Sequence, residues 1–206
     1  LSSDPDIAEI IGDVGLFDYA EFCAEYSTFD MSLLYHMARA AQCADLPLMI
    51  KLDQMNQGFW AQAAIGAGFK AVLFTDIRSS DDVESCYQSI RPDNLAGQGL
   101  MGIKLRRPAF GSYGHDAYLA DLESILFLVM IEKTVAVDNL DMVLEKAKAR
   151  GVDMTQWGPA DFGFSRGQPD LMDTDEIKPF EELVIRKSID YGIAPRIEIR
   201  SVDQAQ

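Results

Sequence analysis

Histidine, cysteine and basic residues are all scarce in this chain, and each shortage removes a class of function. Two histidines, His36 and His115, among 206 residues cannot build a His-rich zinc centre. The three cysteines, Cys23, Cys43 and Cys86, are odd in number and lack metal-ligand spacing, so a reducing cytoplasm is the simplest compartment. Lysine and arginine total 18 against 33 acids, a net charge of −15, which argues against nucleic acid as a partner. The longest apolar run, Ile125–Ile131, is the length of a strand. A membrane-spanning helix needs about 20 such residues, so no membrane role is expected. No basic segment followed by an apolar stretch opens the chain as a secretion signal would. The first residue is Leu1 rather than Met, which reads as part of a longer protein.

What is present is alternation. The hydrophobic share of 48% suits a single globular domain over residues 1–206. Helices are expected over Asp4–Val14, from Asp30 to Ala44, Gly58–Ala67, Ser80–Ile90, Val135–Arg150 and Asp175–Tyr191, and strands over Phe17–Cys23, Pro47–Leu52, Lys70–Thr75, Ile125–Ile131, Val152–Trp157 and Pro195–Ile199. A weak strand is expected at Leu100–Leu105, within a Gly-rich and basic stretch that carries Arg106 and Arg107. Strands alternating with helices imply a parallel sheet with right-handed crossovers. The expected fold class is α/β, a (β/α)8 TIM barrel whose first strand and C-terminal helix are incomplete in this chain. An open doubly wound sheet would give the same pattern, although no GxGxxG motif follows the early strands.

Polar residues stand at the exits of successive strands: Glu25, Lys51 with Asp53, Asp76, Glu132, and Asp161 after the turn Gly158-Pro159-Ala160. In an α/β barrel these exits share one rim, where active sites lie. Glu132 directly follows seven apolar residues, and a carboxylate at the edge of a core is costly unless paired or bound to a metal. A salt bridge to Lys133 or Lys51 would satisfy it as well. Asp161 would equally serve as an Asx-turn or helix cap. Two carboxylates plus waters suit Mg2+ or Mn2+.

Phe17-Asp18-Tyr19, Glu25, Phe29-Asp30, Ile131-Glu132-Lys133 with Asn139-Leu140, and Gly158-Pro159-Ala160-Asp161 together resemble the HpcH/HpaI aldolase family. The likeness runs in order over essentially the whole chain. It implies a metal-dependent (class II) pyruvate aldolase of the phosphoenolpyruvate/pyruvate barrel superfamily. By position it implies Glu132 and Asp161 as metal ligands, the backbone at Pro159 and Ala160 as the carboxylate pocket, and assembly as a homo-trimer or homo-hexamer. Two departures bear on the chemistry. Tyr26 stands where the family carries His after the Glu, and Cys23 where it carries Asp. Lys51 replaces a family Arg, exchanging a planar fork for a point charge.

The resemblance implies an aldol or retro-aldol reaction of a 4-hydroxy-2-oxo acid through a metal-stabilised pyruvate enolate. Lys51 would lend charge to the enolate. Glu25, a metal-bound water or Tyr26 would act as base, and Arg106 and Arg107 would either bind the distal anionic end of the substrate or serve as oligomer contacts or a solvated loop. Alternatives are a metal-dependent decarboxylase or hydrolase on a related 2-oxo acid, or an inactive binding barrel. A Schiff base at Lys51 is a lesser alternative, because it leaves the two carboxylates without a task.

Overall fold

Asp30 shows how local sequence sets an element boundary. Its carboxylate accepts the Leu33 N–H at 2.8 Å and caps a helix, Met31–Cys43, whose buried face carries Leu34, Met37, Ala38 and Ala41. The same logic recurs at Asp4, which accepts from Asp6 N–H ahead of Pro5–Val14. These details come from a computed structural model that describes residues 3–104 and 114–199. Arg106 and Arg107 lie outside the described residues.

The chain separates into two units, Leu1–Thr75 with Glu84–Phe127, and Asp76–Val83 with Leu128–Gln206. The elements in chain order are α1 (Pro5–Val14), β1 (Ala20–Cys23), α2 (Met31–Cys43), β2 (Leu48–Leu52), α3 (Gln57–Ala67), β3 (Ala71–Phe74), α4 (Ser80–Ile90) and α5 (His115–Glu123). They continue as β4 (Leu126–Ile131), α6 (Thr134–Asp138), α7 (Leu140–Ala149), β5 (Met154–Trp157), α8 (Pro159–Ser165), α9 (Lys178–Asp190) and β6 (Ala194–Arg196).

In the first unit β1 pairs with β2 and β2 with β3, both in parallel. All five residues of β2 and all four of β3 are buried, as expected of parallel strands covered on both faces. In the second unit β4 pairs with β5 and β5 with β6, again in parallel. There Val129 and Ile131 have no exposed surface. Burial of each such side chain contributes roughly 1.5–3 kcal/mol.

Several expectations shift. Strand β1 starts at Ala20, and Phe17 is 58% exposed. The weak strand at 100–105 reduces, in its described part, to one bridge between Met101 and Pro92. Gly99 in that stretch is a packing requirement, because an added Cβ would lie 1.9 Å from the Arg91 carbonyl oxygen. The helix expected over Val135–Arg150 divides at Asn139 into α6 and α7. The one expected from Asp175 begins as a 3-10 turn before α9. Helix α5 had no clear sequence signal. Among the described residues no helix is long and apolar enough to cross a membrane.

Candidate active site

Two charged clusters sit at strand exits, one in each unit. In the first unit Lys51, on β2, is only 8% exposed. Its Nζ lies 2.9 Å from Glu25 Oε2 and 5.3 Å from the centroid of the Tyr26 ring. The contact with Glu25 is an ion pair first and a poorly aligned hydrogen bond second. Burial presses the Lys51 pKa down, but the hydrogen bond and charge of Glu25 outweigh it and the net shift is upward. Lys51 is therefore held as an ammonium. Beside it, burial pushes the Cys23 thiol up. Tyr26 itself is 62% exposed.

In the second unit Glu132 extends β4 by one residue and is 4% exposed. Burial, reinforced by the charges of Asp161 and Asp76, raises its pKa to about 7 against the opposing hydrogen bond from the Asp76 N–H and the charge of Lys133. Oε1 accepts the Asp76 N–H at 2.8 Å. Asp76 has φ +60°, a left-handed conformation that Asp tolerates better than most residues. Arg78 secures that turn by donating to the Asp76 carbonyl at 3.0 Å. Gly158 leaves room on the other side of Glu132, since a Cβ there would fall 2.3 Å from Oε2.

Asp161 lies in the first turn of α8, half-buried. It is reached by Lys133, whose Nζ sits 2.6 Å from Asp161 Oδ1 and 2.5 Å from Asp76 Oδ1. Helix α8 is fixed by Phe162, packed between Trp157 at 4.8 Å and Phe180 at 4.9 Å between centroids. Pro159 occupies its first turn, where the missing N–H costs nothing, and Ala160 beside it is exposed. An open hollow of about 560 Å3, lined in part by Arg78, Thr134, Phe164 and Ser165, borders Lys133.

The structure thus brings Glu132, Asp161, Pro159 and Ala160 together in one unit and Glu25, Tyr26 and Lys51 in the other. Sequence reasoning gave Lys133 as one ion-pair partner for Glu132. Its ammonium instead binds two aspartates, one of them Asp76, more than fifty positions earlier in the chain. Among the described residues no three His, Cys, Asp or Glu side chains form a preformed metal cage. The oxygen-donor pair Glu132 and Asp161 nevertheless suits a cation of the Mg2+ kind, which binds through one or two carboxylates and keeps waters and substrate as its other ligands.

No family profile matches the chain. It is 27% identical over 202 residues to a 2-keto-3-deoxy-L-rhamnonate aldolase of Shigella dysenteriae, covering 97% of this chain and 73% of that protein. A protein of the same name from Salmonella gallinarum is 28% identical over 181 residues, 87% of this chain and 65% of the relative. Among solved structures, an HpcH/HpaI aldolase/citrate lyase family protein from Burkholderia cenocepacia superposes with a TM-score of 0.84 at 22% identity, over 98% of this chain and 79% of the other.

The chain is similar to 2-keto-3-deoxy-L-rhamnonate aldolases in sequence and to HpcH/HpaI aldolase family structures in fold. Its fold is the α/β barrel, and the described residues supply six of the eight strands that a (β/α)8 barrel has. The family likeness holds although Tyr26 and Lys51 depart from the expected motif.

Proposed function

We propose that this protein is a divalent-metal-dependent aldolase that cleaves or forms a 4-hydroxy-2-oxo acid, with Glu132 and Asp161 holding Mg2+ or Mn2+. The observation that carries this reading is the buried Glu132 carboxylate, close enough to Asp161 and Asp76 for their charges to raise its pKa. A desolvated carboxylate among like charges is stabilised by a cation. The relatives' names, both 2-keto-3-deoxy-L-rhamnonate aldolases, support a 2-keto-3-deoxy sugar acid as the substrate class.

When bound, such a cation supplies Lewis acidity toward the carboxylate and keto oxygens of the substrate. The first turn of α8 carries N–H groups at Ala160 and Asp161 that helix geometry leaves without intrahelical partners, and this turn, which opens at Pro159, receives the substrate carboxylate. The reaction needs a base to take the proton from the C4 hydroxyl as the C3–C4 bond breaks, releasing an aldehyde and the enolate of pyruvate, and Glu25 is the first unit's candidate for it. Lys51 is that unit's fixed positive charge, suited to an enolate oxygen. Its raised pKa disfavours the imine route, which needs a neutral amine. The enolate then takes a proton at C3 to give pyruvate. Tyr26 lines the Lys51 site from an exposed position and is assigned to substrate contact rather than proton transfer. Cytoplasmic location and assembly as a trimer or hexamer belong to the same reading.

The test is pyruvate release from 2-keto-3-deoxy sugar acids, followed by coupled reduction to lactate. Release with Mg2+ or Mn2+ and its loss on adding EDTA support the assignment. Release that is indifferent to EDTA contradicts the metal, and none from any such acid contradicts the aldolase. A barrel that binds a 2-oxo acid without turnover is the second reading. It is favoured by Tyr26, exposed where a buried base would be expected, and would show pyruvate binding without C–C cleavage.

A further inference from the structure

Lys133 is placed unlike a surface lysine. Its side chain is 11% exposed, and its ammonium lies 2.5 Å from Asp76 Oδ1 and 2.6 Å from Asp161 Oδ1. Its chain position is secured just beyond, where the Thr134 N–H donates to Ser165 Oγ at 2.8 Å and so ties the start of α6 to the end of α8. The two aspartates differ: the Asp76 side chain is 17% exposed and that of Asp161 is 37%. Asp76 is the inner partner, held by its turn. Asp161 is the outer one.

We infer that Lys133 is a resident counter-ion at the carboxylate cluster, that a divalent cation must displace it from Asp161, and that Asp76 retains the displaced ammonium. The inference rests on the metal reading above. An ammonium at 2.6 Å from Asp161 Oδ1 and a divalent ion on the same carboxylate would repel each other strongly in a largely buried site. Lysine suits this exchange because its ammonium is a compact point charge on a flexible stem. The Asp161 side chain is itself 37% exposed, which gives ions and water access to the outer aspartate, and the hollow beside Lys133 leaves its stem room to move. Lys133 is therefore a positioning residue that sets metal affinity. It neutralises part of the cluster when no metal is bound, and it keeps the bound metal exchangeable.

The experiment is calorimetric titration of the EDTA-treated, dialysed full chain with MnCl2. Lys133→Met should bind Mn2+ at least about tenfold more tightly than the unaltered protein, a difference of about 1.4 kcal/mol. Lys187→Met removes one positive charge from the exposed pair with Asp141 and should change affinity less than about twofold, which separates local competition from the general field. Lys133→Arg, which keeps a cation, should bind no more tightly than the unaltered protein and covers the case in which the methionine variant folds poorly. Equal or weaker binding by Lys133→Met, with binding still abolished by Glu132→Gln, overturns the inference and leaves the metal site standing. No Mn2+ binding by any variant, or binding indifferent to Glu132→Gln, overturns the metal site and this inference with it.

Discussion

The two charged clusters solve the same physical problem in different ways. At Lys51 and Glu25 one buried base meets one acid at 2.9 Å, and the pair is balanced. At Glu132 the charges of Asp76 and Asp161 crowd the carboxylate, and the Lys133 ammonium bridges those two aspartates. The first cluster needs nothing further and keeps its lysine charged. The second crowds carboxylates together, and the cost falls on its most buried member. The Glu132 pKa moves up to about 7, whereas the Lys51 ammonium is stabilised. A balanced pair is what a fixed electrostatic contact to substrate requires, and an unbalanced one is what recruits a cation.

The sharpest way to break the comparison is to remove the unbalanced carboxylate. Glu132→Gln should lower metal-dependent pyruvate release on the order of 10^3-fold, comparable with the loss of one strong transition-state contact, in steady-state assays at saturating Mg2+. Breaking the balanced pair should instead show first in stability. Lys51→Met leaves Glu25 without its partner in a site where the Glu25 side chain is 16% exposed, and should cost about 3 kcal/mol in urea unfolding. The double variant with Glu25→Gln should recover much of that loss, while Mn2+ affinity stays near that of the unaltered protein.

The third test uses pH. The Glu132 pKa is higher in the fold, about 7, than the ordinary 4.5, so between those values the folded state binds more protons than the unfolded one. This group's contribution to stability therefore falls as pH rises through that window, and the penalty is complete above about 7. Without metal, Glu132→Gln should be more stable than the unaltered protein at pH 8 by roughly 3 kcal/mol and nearly equal to it at pH 4, measured by urea denaturation. Saturating Mn2+ should abolish the difference at pH 8 or reverse it. The smallest effect is steric. Gly158→Ala puts a Cβ where Glu132 Oε2 now lies 2.3 Å away, so Mn2+ affinity should drop by about tenfold with little change at the Lys51 cluster.

The sequence carried the fold further than the site. An apolar run broken by Lys51 alone at Leu48–Leu52 and a continuous one at Leu126–Ile131 announced buried parallel strands, and the helix starts expected at Asp4 and Asp30 carry side-chain caps. Boundaries failed where side-chain type and burial disagree, as at Phe17, an aromatic that the fold leaves exposed. Asn139 divided a helix whose residue pattern runs on through it. At the site, the pairing of Lys51 with Glu25 depends on the register of β1 against β2, with Cys23 opposite Lys51, and that register is not written in either segment alone. The double contact of Lys133 was still less legible. It needs the left-handed turn at Asp76 and the docking of α8, two features that no local pattern around Lys133 contains.

The most direct test of the account is proton exchange at the methyl group of pyruvate in deuterium oxide, followed by NMR with the full chain and Mg2+. Metal-dependent loss of the methyl signal, stopped by EDTA and absent in Glu132→Gln, is the expected result. A methyl signal that persists with Mg2+ and Mn2+ alike, in folded protein shown to bind Mn2+, would contradict the claim that the Glu132 cluster serves enolate chemistry.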